Sequence, residues 1–265
     1  MPHFLLRNEI RKVIYPYKMG SKSARLLARE LSNFRVFKDR KYRPQNRDEI
    51  INWGSSGKPS WESRLVGSKN ILNKPENVRL ATNKLTALRV LQNRGVPTVE
   101  FTTEYREAVK WMETSKVYSR TILNGHSGRG VAVSDGSVTP ARLYTKGVDT
   151  LAEYRVHIFD GAVIDYTKKR RRNGEPATPA QLLVRSLKNG WIFTRGNLRR
   201  LHKVEKLAQS AVAALGLDFG AVDIVKDRNR NVFVLEVNTA VGLAPITLEN
   251  YKNAVTKHYA TTHTR

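Results

Sequence analysis

The chain has 265 residues, 40 % hydrophobic and 26 % charged, with 47 Lys and Arg against 23 Asp and Glu, a net charge of +24. This length supports one large or two modest domains with a real core, and the absence of cysteine excludes disulfides, thiolate metal sites and cysteine nucleophiles. No run approaches the ~20 apolar residues that cross a bilayer and the first residues lack the apolar stretch of a signal peptide, so the expected location is cytoplasmic, with no membrane partner.

Positive charge concentrates at the two ends: residues 1–80 hold 18 basic and 7 acidic side chains, 81–160 hold 11 and 8, and 161–265 hold 18 and 8. Such a field attracts polyanions or nucleotides, or it is the solvated surface of a basic protein. In chain order, Val13 to Tyr17 reads as a buried strand, and KMGSKSARLLARELS as a glycine turn and an amphipathic helix. Glu49 to Ser56 reads as a second strand ending in small residues, which makes the first 60 residues a small α/β unit. Gly20 to Ser23 (GSKS) is not a P-loop, because the upstream glycine is missing and Ser21 interrupts the Gly-Lys pair.

LATNKLTALRVLQNRGVPTVEF is a marked helix, with Thr82 or Asn83 as N-cap, Gly95 as the left-handed stop and Pro97 forbidding continuation. The strand KVYSRTIL, the glycine loop NGHSGRG and the strand VAVS follow. AEYRVHIF, the turn DG and AVIDYTKK form a hairpin. A helix from about Leu201 to Leu215 carries Val204, Leu207, Ala208, Ala211 and Val212 on one face. The strands FGAVDIVKD and VFVLEVNT flank the turn DRNR, and a short helix near Thr247 to Tyr259 closes the chain.

Chemistry collects in three places. A symmetric pairing about DRNR sets Asp223 opposite Val234, so Asp223, Glu236 and Asn238 share one sheet face. A slip of one residue would undo that arrangement. Two carboxylates and an amide oxygen suit Mg²⁺, and surface acids paired with Lys or Arg are the alternative. In NGHSGRGVAV, a glycine-rich tip between two strands lets backbone N–H groups fold over phosphates, with Ser127 adding a hydroxyl; a plain hairpin turn is the alternative. Glu153 and Arg155 share a strand face that Lys169 could join from the partner strand, so cations gather where a phosphoryl group or an acidic substrate could bind. Arg170 to Arg172 fit a solvated basic loop better.

The order and spacing of these three places resemble the ATP-grasp superfamily of ATP-dependent ligases. The nearest resemblance is to amino-acid ligases of the glutamate-adding type and to ATP-grasp proteins encoded by bacteriophages. The most specific match is GAVDIVKDRNRNVFVLEVNTAVGL, an acid followed thirteen positions on by Glu-x-Asn and small residues. The resemblance implies an α/β (α+β) ATP-grasp fold over residues 81–265, holding the nucleotide between two α/β subdomains, after a small Rossmann-like domain over residues 1–80. It assigns Asp223, Glu236 and Asn238 to Mg²⁺, with Mn²⁺ as an alternative cation. It assigns Lys84, Arg120, Ser127, Gly128, Gly130, Tyr144, Lys146, Val148 and Glu153 to ATP, and Arg155, Lys169 and Arg195 to catalysis.

The sequence departs from the family's pattern at several points. Arg120 stands where Lys is usual, the hinge LYTKGV lacks its usual glutamate, and Asp149 competes with Glu153 for the ribose. Val131 to Leu143 is too short for the usual helix, and Ala221 replaces an Arg that some members carry. The implied reaction is carboxylate–amine ligation through an acyl phosphate, releasing ADP and phosphate. A kinase on the same module and a non-catalytic nucleic-acid-binding protein are the competing readings. Expected partners are an amino acid or another small carboxylate or amine, or an acidic macromolecular acceptor such as a protein tail, a ribosome or nucleic acid. A homo-oligomer is compatible with the resemblance.

Overall fold

A computed structural model describes residues 10–39, 42–59, 62, 70–124, 129–172, 178–196 and 198–262. The chain divides into two compact units, Met1–Arg79 with Thr239–Arg265, and Leu80–Asn238. The sequence reading grouped residues 239–265 with the ATP-grasp module; here they belong to the first unit. Among the described residues no helix is long and apolar enough to cross a membrane.

The first unit is built on a parallel sheet of β1 (Lys12–Pro16), β2 (Phe34–Val36), β3 (Glu49–Trp53) and β4 (Ile71–Leu72), in the order β2-β1-β3-β4. Parallel strands bury both faces, and Ile14, Ile50 and Ile51 are fully buried. The helix α1 (Lys22–Glu30) starts at Ser21, whose hydroxyl accepts the Ala24 N–H at 3.3 Å. The serine that breaks the apparent P-loop is therefore an N-cap. The C-terminal helix, labelled α7 below, spans Pro245–Thr262 and buries Tyr251, Val255 and Tyr259, spaced four apart on one face. Tyr251 meets Trp53 edge-on at 5.5 Å, and Tyr259 packs on Phe34 at 5.8 Å. Those aromatic contacts hold α7 in this unit.

The second unit begins within α2 (Pro75–Thr82) and continues into α3 (Lys84–Asn93). Of the two N-caps the sequence offers for α3, Asn83 serves: its side-chain amide oxygen accepts the Thr86 N–H at 3.1 Å and starts the helix at Lys84. The short α2 before it was not expected. Gly95, at φ +69°, ends α3 as expected. A small antiparallel sheet follows, of β5 (Phe101–Thr102), β6 (Val117–Arg120), β7 (Val131–Val133) and β8 (Leu143–Lys146), ordered β5-β8-β6-β7. It is packed by α4 (Tyr105–Trp111), with Ala108, Val117, Val138 and Tyr144 as its core.

The larger sheet is antiparallel, in the order β11-β10-β9-β12-β13: β9 (Thr150–Phe159), β10 (Ala162–Arg171), β11 (Trp191–Thr194), β12 (Phe219–Asp227) and β13 (Val232–Asn238). Asp160 and Gly161, both at positive φ (45° and 72°), make the two-residue turn between β9 and β10 that the DG pair predicts. The short helix α5 (Pro179–Leu183) lies between β10 and β11. One face of the sheet carries Val156, Ile158, Val222, Ile224 and Val234, all fully buried. The helix α6 (His202–Ala214) packs on β9, β10, β12 and β13 and buries the five residues its periodicity predicts. The opposite face carries the charges.

Candidate active site

Cross-strand partners point to the same side of a sheet, and pairing across β10, β9, β12 and β13 fixes which residues meet. Arg155 pairs with Thr167 on one side and Asp223 on the other, and Asp223 pairs with Glu236. His157 lies between Asp165 and Ala221, and Ala221 pairs with Asn238. One charged face thus collects Glu153, Arg155, His157, Asp165, Lys169, Asp223, Glu236 and Asn238.

Two β-bulges create this alignment. The pairs Val225–Phe233 and Ile224–Val234 set a register one residue away from the symmetric one expected about DRNR. A ladder continued in that register would place Leu235 opposite Asp223 and turn Glu236 to the α6 side. The register shifts at Asp223/Ile224, leaving Leu235 as the extra residue, and Glu236 lands opposite Asp223. The expected pairing of Asp223 with Val234 is therefore wrong, and the convergence it predicted is present by another route. In β10 the shift between Val163 and Asp165 makes Ile164 the extra residue, and brings Asp165, Thr167 and Lys169 onto the charged face.

The Arg155 guanidinium donates to both oxygens of Asp223, at 2.7 Å each. Two parallel bonds of this kind fix the arginine's plane. Burial opposes charge on Arg155, but Asp223 outweighs it and the pKa is raised. Lys84, at the start of α3, reaches Glu236 at 3.2 Å. Burial pushes the Glu236 carboxyl up, yet Lys84, Arg120 and Arg155 together hold it at about 2, so it is ionised at neutral pH. The Asn238 amide donates to Glu236 Oε1 at 3.3 Å and to Asp223 Oδ2 at 3.5 Å, joining the three oxygen-bearing side chains. Lys169 pairs with Glu153, whose pKa burial raises against the pull of that lysine. Burial lowers the Arg120 pKa while Glu236 opposes the shift.

Of the residues singled out in the sequence, Lys84, Arg120, Glu153, Arg155, Lys169, Asp223, Glu236 and Asn238 belong to this one network. Arg195 lies beyond β11 and is gripped by Asp165. Three others do different work. The Tyr144 side chain is buried against Ala108, Val117 and Val138, with its hydroxyl accepting the Ala141 N–H at 2.7 Å. Lys146 pairs with Glu100 at 3.2 Å and sits over the Trp111 ring, and the Val148 carbonyl accepts the Thr150 hydroxyl at 3.0 Å. Asp149 pairs with Arg228 at 2.8 Å, both exposed. Gly130 is described, at φ +70°, with its carbonyl accepting the Thr121 N–H at 2.9 Å. Ser127 and Gly128 lie outside the described residues.

Three members of the face were not read from the sequence. Phe193, in β11, lies under two cations, 4.4 Å from the Arg155 guanidinium carbon and 4.9 Å from the Lys169 ammonium. Asp165 and His157 are the others. The bulge at Ile164 hides Asp165 from any alternation rule. The EYRVH spacing does place His157 on the face of Glu153 and Arg155, and that was the available signal.

Among the described residues no three His, Asp or Glu gather as a metal cluster. The oxygen-bearing set is the carboxylates of Asp223 and Glu236 with the side-chain amide of Asn238, whose nitrogen donates to both. Hard oxygen donors in that number fit a hard dication that keeps waters and phosphate oxygens as its other ligands.

No protein-family model matches the chain, and no curated protein matches it. Solved structures do. The ATP-grasp ligase PsnB, complexed with a minimal precursor, superposes with a TM-score of 0.65 at 11 % identity, covering 94 % of this chain and 99 % of that one. The chain has the ATP-grasp fold. D-alanine–D-alanine ligase from Bacillus anthracis matches at TM-score 0.62 and 12 % identity over 96 % of this chain and all of the other. The macrocyclase MdnC from Microcystis aeruginosa, bound with its precursor peptide MdnA, matches at 0.61 and 13 % over 92 % and 99 %. PsnB is also known with Mg and ADP, and the Bacillus anthracis ligase with ATP. At these identities the comparison assigns the ATP-grasp fold, and residue roles rest on the geometry above.

Proposed function

We propose that the protein is an ATP- and Mg²⁺-dependent carboxylate–amine ligase. The observation that carries this reading is the meeting of Asp223, Glu236 and Asn238 with Lys84, Arg120, Arg155 and Lys169 on one sheet face of an ATP-grasp fold. Carboxylates gathered at strand ends repel phosphate unless a cation intervenes. Cations beside them are suited to a nucleotide that brings its own metal.

In this account a substrate carboxylate oxygen attacks the γ-phosphorus of ATP. The bond to the β,γ-bridging oxygen breaks, giving ADP and an acyl phosphate. An amine nitrogen then attacks the acyl carbon, the acyl C–O bond breaks, phosphate leaves, and the amine proton passes to solvent. Asp223, Glu236 and Asn238 would hold Mg²⁺, which when bound neutralises charge on the ATP phosphates. Lys84 and Arg120 bind phosphate oxygens, and the backbone at Gly130 approaches them without a side chain in the way. Arg155, Lys169 and Arg195 bind the charge that develops on the transferring group. Positioning and charge neutralisation supply most of the acceleration, because this chemistry asks little covalent help of the protein. The hinge Tyr144 to Val148 offers its backbone to adenine.

The neighbours carry both a small amino acid in their names and precursor peptides in their complexes. A net charge of +24 favours an acidic acceptor among those choices. The reading is tested by incubating the protein with MgATP, hydroxylamine and either free amino acids or an acidic peptide, then resolving nucleotides and products by mass. ADP, phosphate and a hydroxamate are expected. A stable phosphorylated product would make the protein a kinase, and unchanged ATP with every acceptor would contradict the ligase reading.

A further inference from the structure

Arg195 follows the last residue of β11 and its side chain is 30 % exposed, whereas that of Asp165 is 3 % exposed. The Asp165 carboxylate accepts the Arg195 Nε–H at 2.9 Å and a second bond from Nη2, and its Oδ1 also accepts the Tyr166 N–H at 2.9 Å. A two-bond grip fixes the plane of a guanidinium, which a single bond does not. The grip exists because of the bulge at Ile164. Continued from the DG turn without it, the ladder would put Asp165 opposite Val156, on the α6 side of the sheet.

The neighbour across the strand is His157, 3 % exposed. Burial lowers its pKa to about 3 against the pull of Asp165, so at neutral pH the imidazole is uncharged. Arg195 supplies a full positive charge to the buried Asp165 carboxylate. Phe193 lies two residues before Arg195 and carries Arg155 and Lys169 over its ring, so the three cations form one group on the charged face.

We propose that Asp165 is a positioning residue that orients Arg195 towards the transferring phosphoryl group, an inference that rests on the ligase reading above. A salt bridge serving structure alone would leave phosphoryl recognition untouched when its acid is neutralised. Positioning makes that recognition depend on Asp165 as strongly as on Arg195 itself.

The test uses the full chain and a phosphoryl mimic, MgADP with aluminium fluoride, read by calorimetric titration and thermal unfolding. Wild type is expected to bind MgADP and to gain further affinity when aluminium fluoride is added. Asp165→Asn and Arg195→Gln should each lose about tenfold of that gain, with MgADP affinity within twofold of wild type, and the double variant should lose no more than either single one. Arg195→Lys keeps a cation that cannot be gripped in a plane. It should behave like Arg195→Gln, and it decides the matter if Asp165→Asn does not fold.

Retention of the gain by Asp165→Asn or by Arg195→Lys would overturn the proposal, as would additive losses in the double variant. Wild type that binds MgADP but gains nothing from aluminium fluoride would overturn it as well. Wild type that does not bind MgADP would instead bring down the ligase reading and this inference with it.

Discussion

Gly130 shows how a single position constrains the backbone just before β7. It adopts φ +70°, and a Cβ there would lie 2.7 Å from Ile122 Cγ1 and 2.9 Å from the Thr121 hydroxyl. The left-handed conformation alone costs a non-glycine residue roughly 1–2 kcal/mol, and the clash adds to it. Gly130→Ala should therefore lower stability in urea by at least about 1–2 kcal/mol. An unchanged midpoint would contradict this geometry. His157 sets a second expectation at the same scale. Its folded pKa of about 3 lies below the ordinary 6.5, so between those values the unfolded chain binds a proton that the folded chain refuses. Stability should fall as pH drops from 6.5 towards 3, by up to ~1.4 kcal/mol per pH unit from this group. His157→Gln should flatten that fall between pH 6.5 and 5, measured as urea midpoints. An identical slope in the variant would show that the proton goes elsewhere.

Elements whose period is unbroken were legible. The α6 face and the DG turn follow from helix periodicity and turn chemistry, because each pattern lies within one segment. The site was legible in its residue types and less so in its register. Pairing symmetric about DRNR predicted that Asp223 and Glu236 meet, and a bulge at Leu235, not that symmetry, brings them together. Lys169 faces Glu153 only because Ile164 is extra in β10, and the same bulge conceals Asp165. Bulges are set by packing of the whole sheet, which no local pattern encodes. The N-terminal segment shows the same limit. β2 and β4 have three and two residues, too short for a period, and α7 joins this unit through aromatic contacts far apart in sequence. Deleting Leu235 leaves Glu236 next after Val234 and still opposite Asp223, so the Mg²⁺-dependent effect of ATP on unfolding temperature should survive. Deleting Val237 turns Asn238 to the α6 face and should abolish it. A folded Leu235 deletion without that effect would contradict the assignment of the bulge.

Across the whole molecule, positive charge exceeds negative by 24, and the excess lies mostly in residues 1–80 and 161–265. A field of that sign attracts polyanions and weakens with salt. A fluorescent poly-glutamate peptide should bind in low salt and release as salt rises to physiological strength, by anisotropy, while a neutral peptide of equal length should not bind. Salt-insensitive binding of both peptides would remove charge from the account. The central claim is narrower: Asp223, Glu236 and Asn238 are oxygen ligands for a metal that arrives with ATP, inside an ATP-grasp fold. Thermal unfolding of wild type and Glu236→Gln with ATP, with and without Mg²⁺, tests it most directly. A ligand at 100 times its dissociation constant adds ~2.7 kcal/mol of stability. The account predicts that shift in wild type only when Mg²⁺ is present, and a clearly smaller one in Glu236→Gln; no shift with MgATP, or an equal shift in the variant, would contradict it.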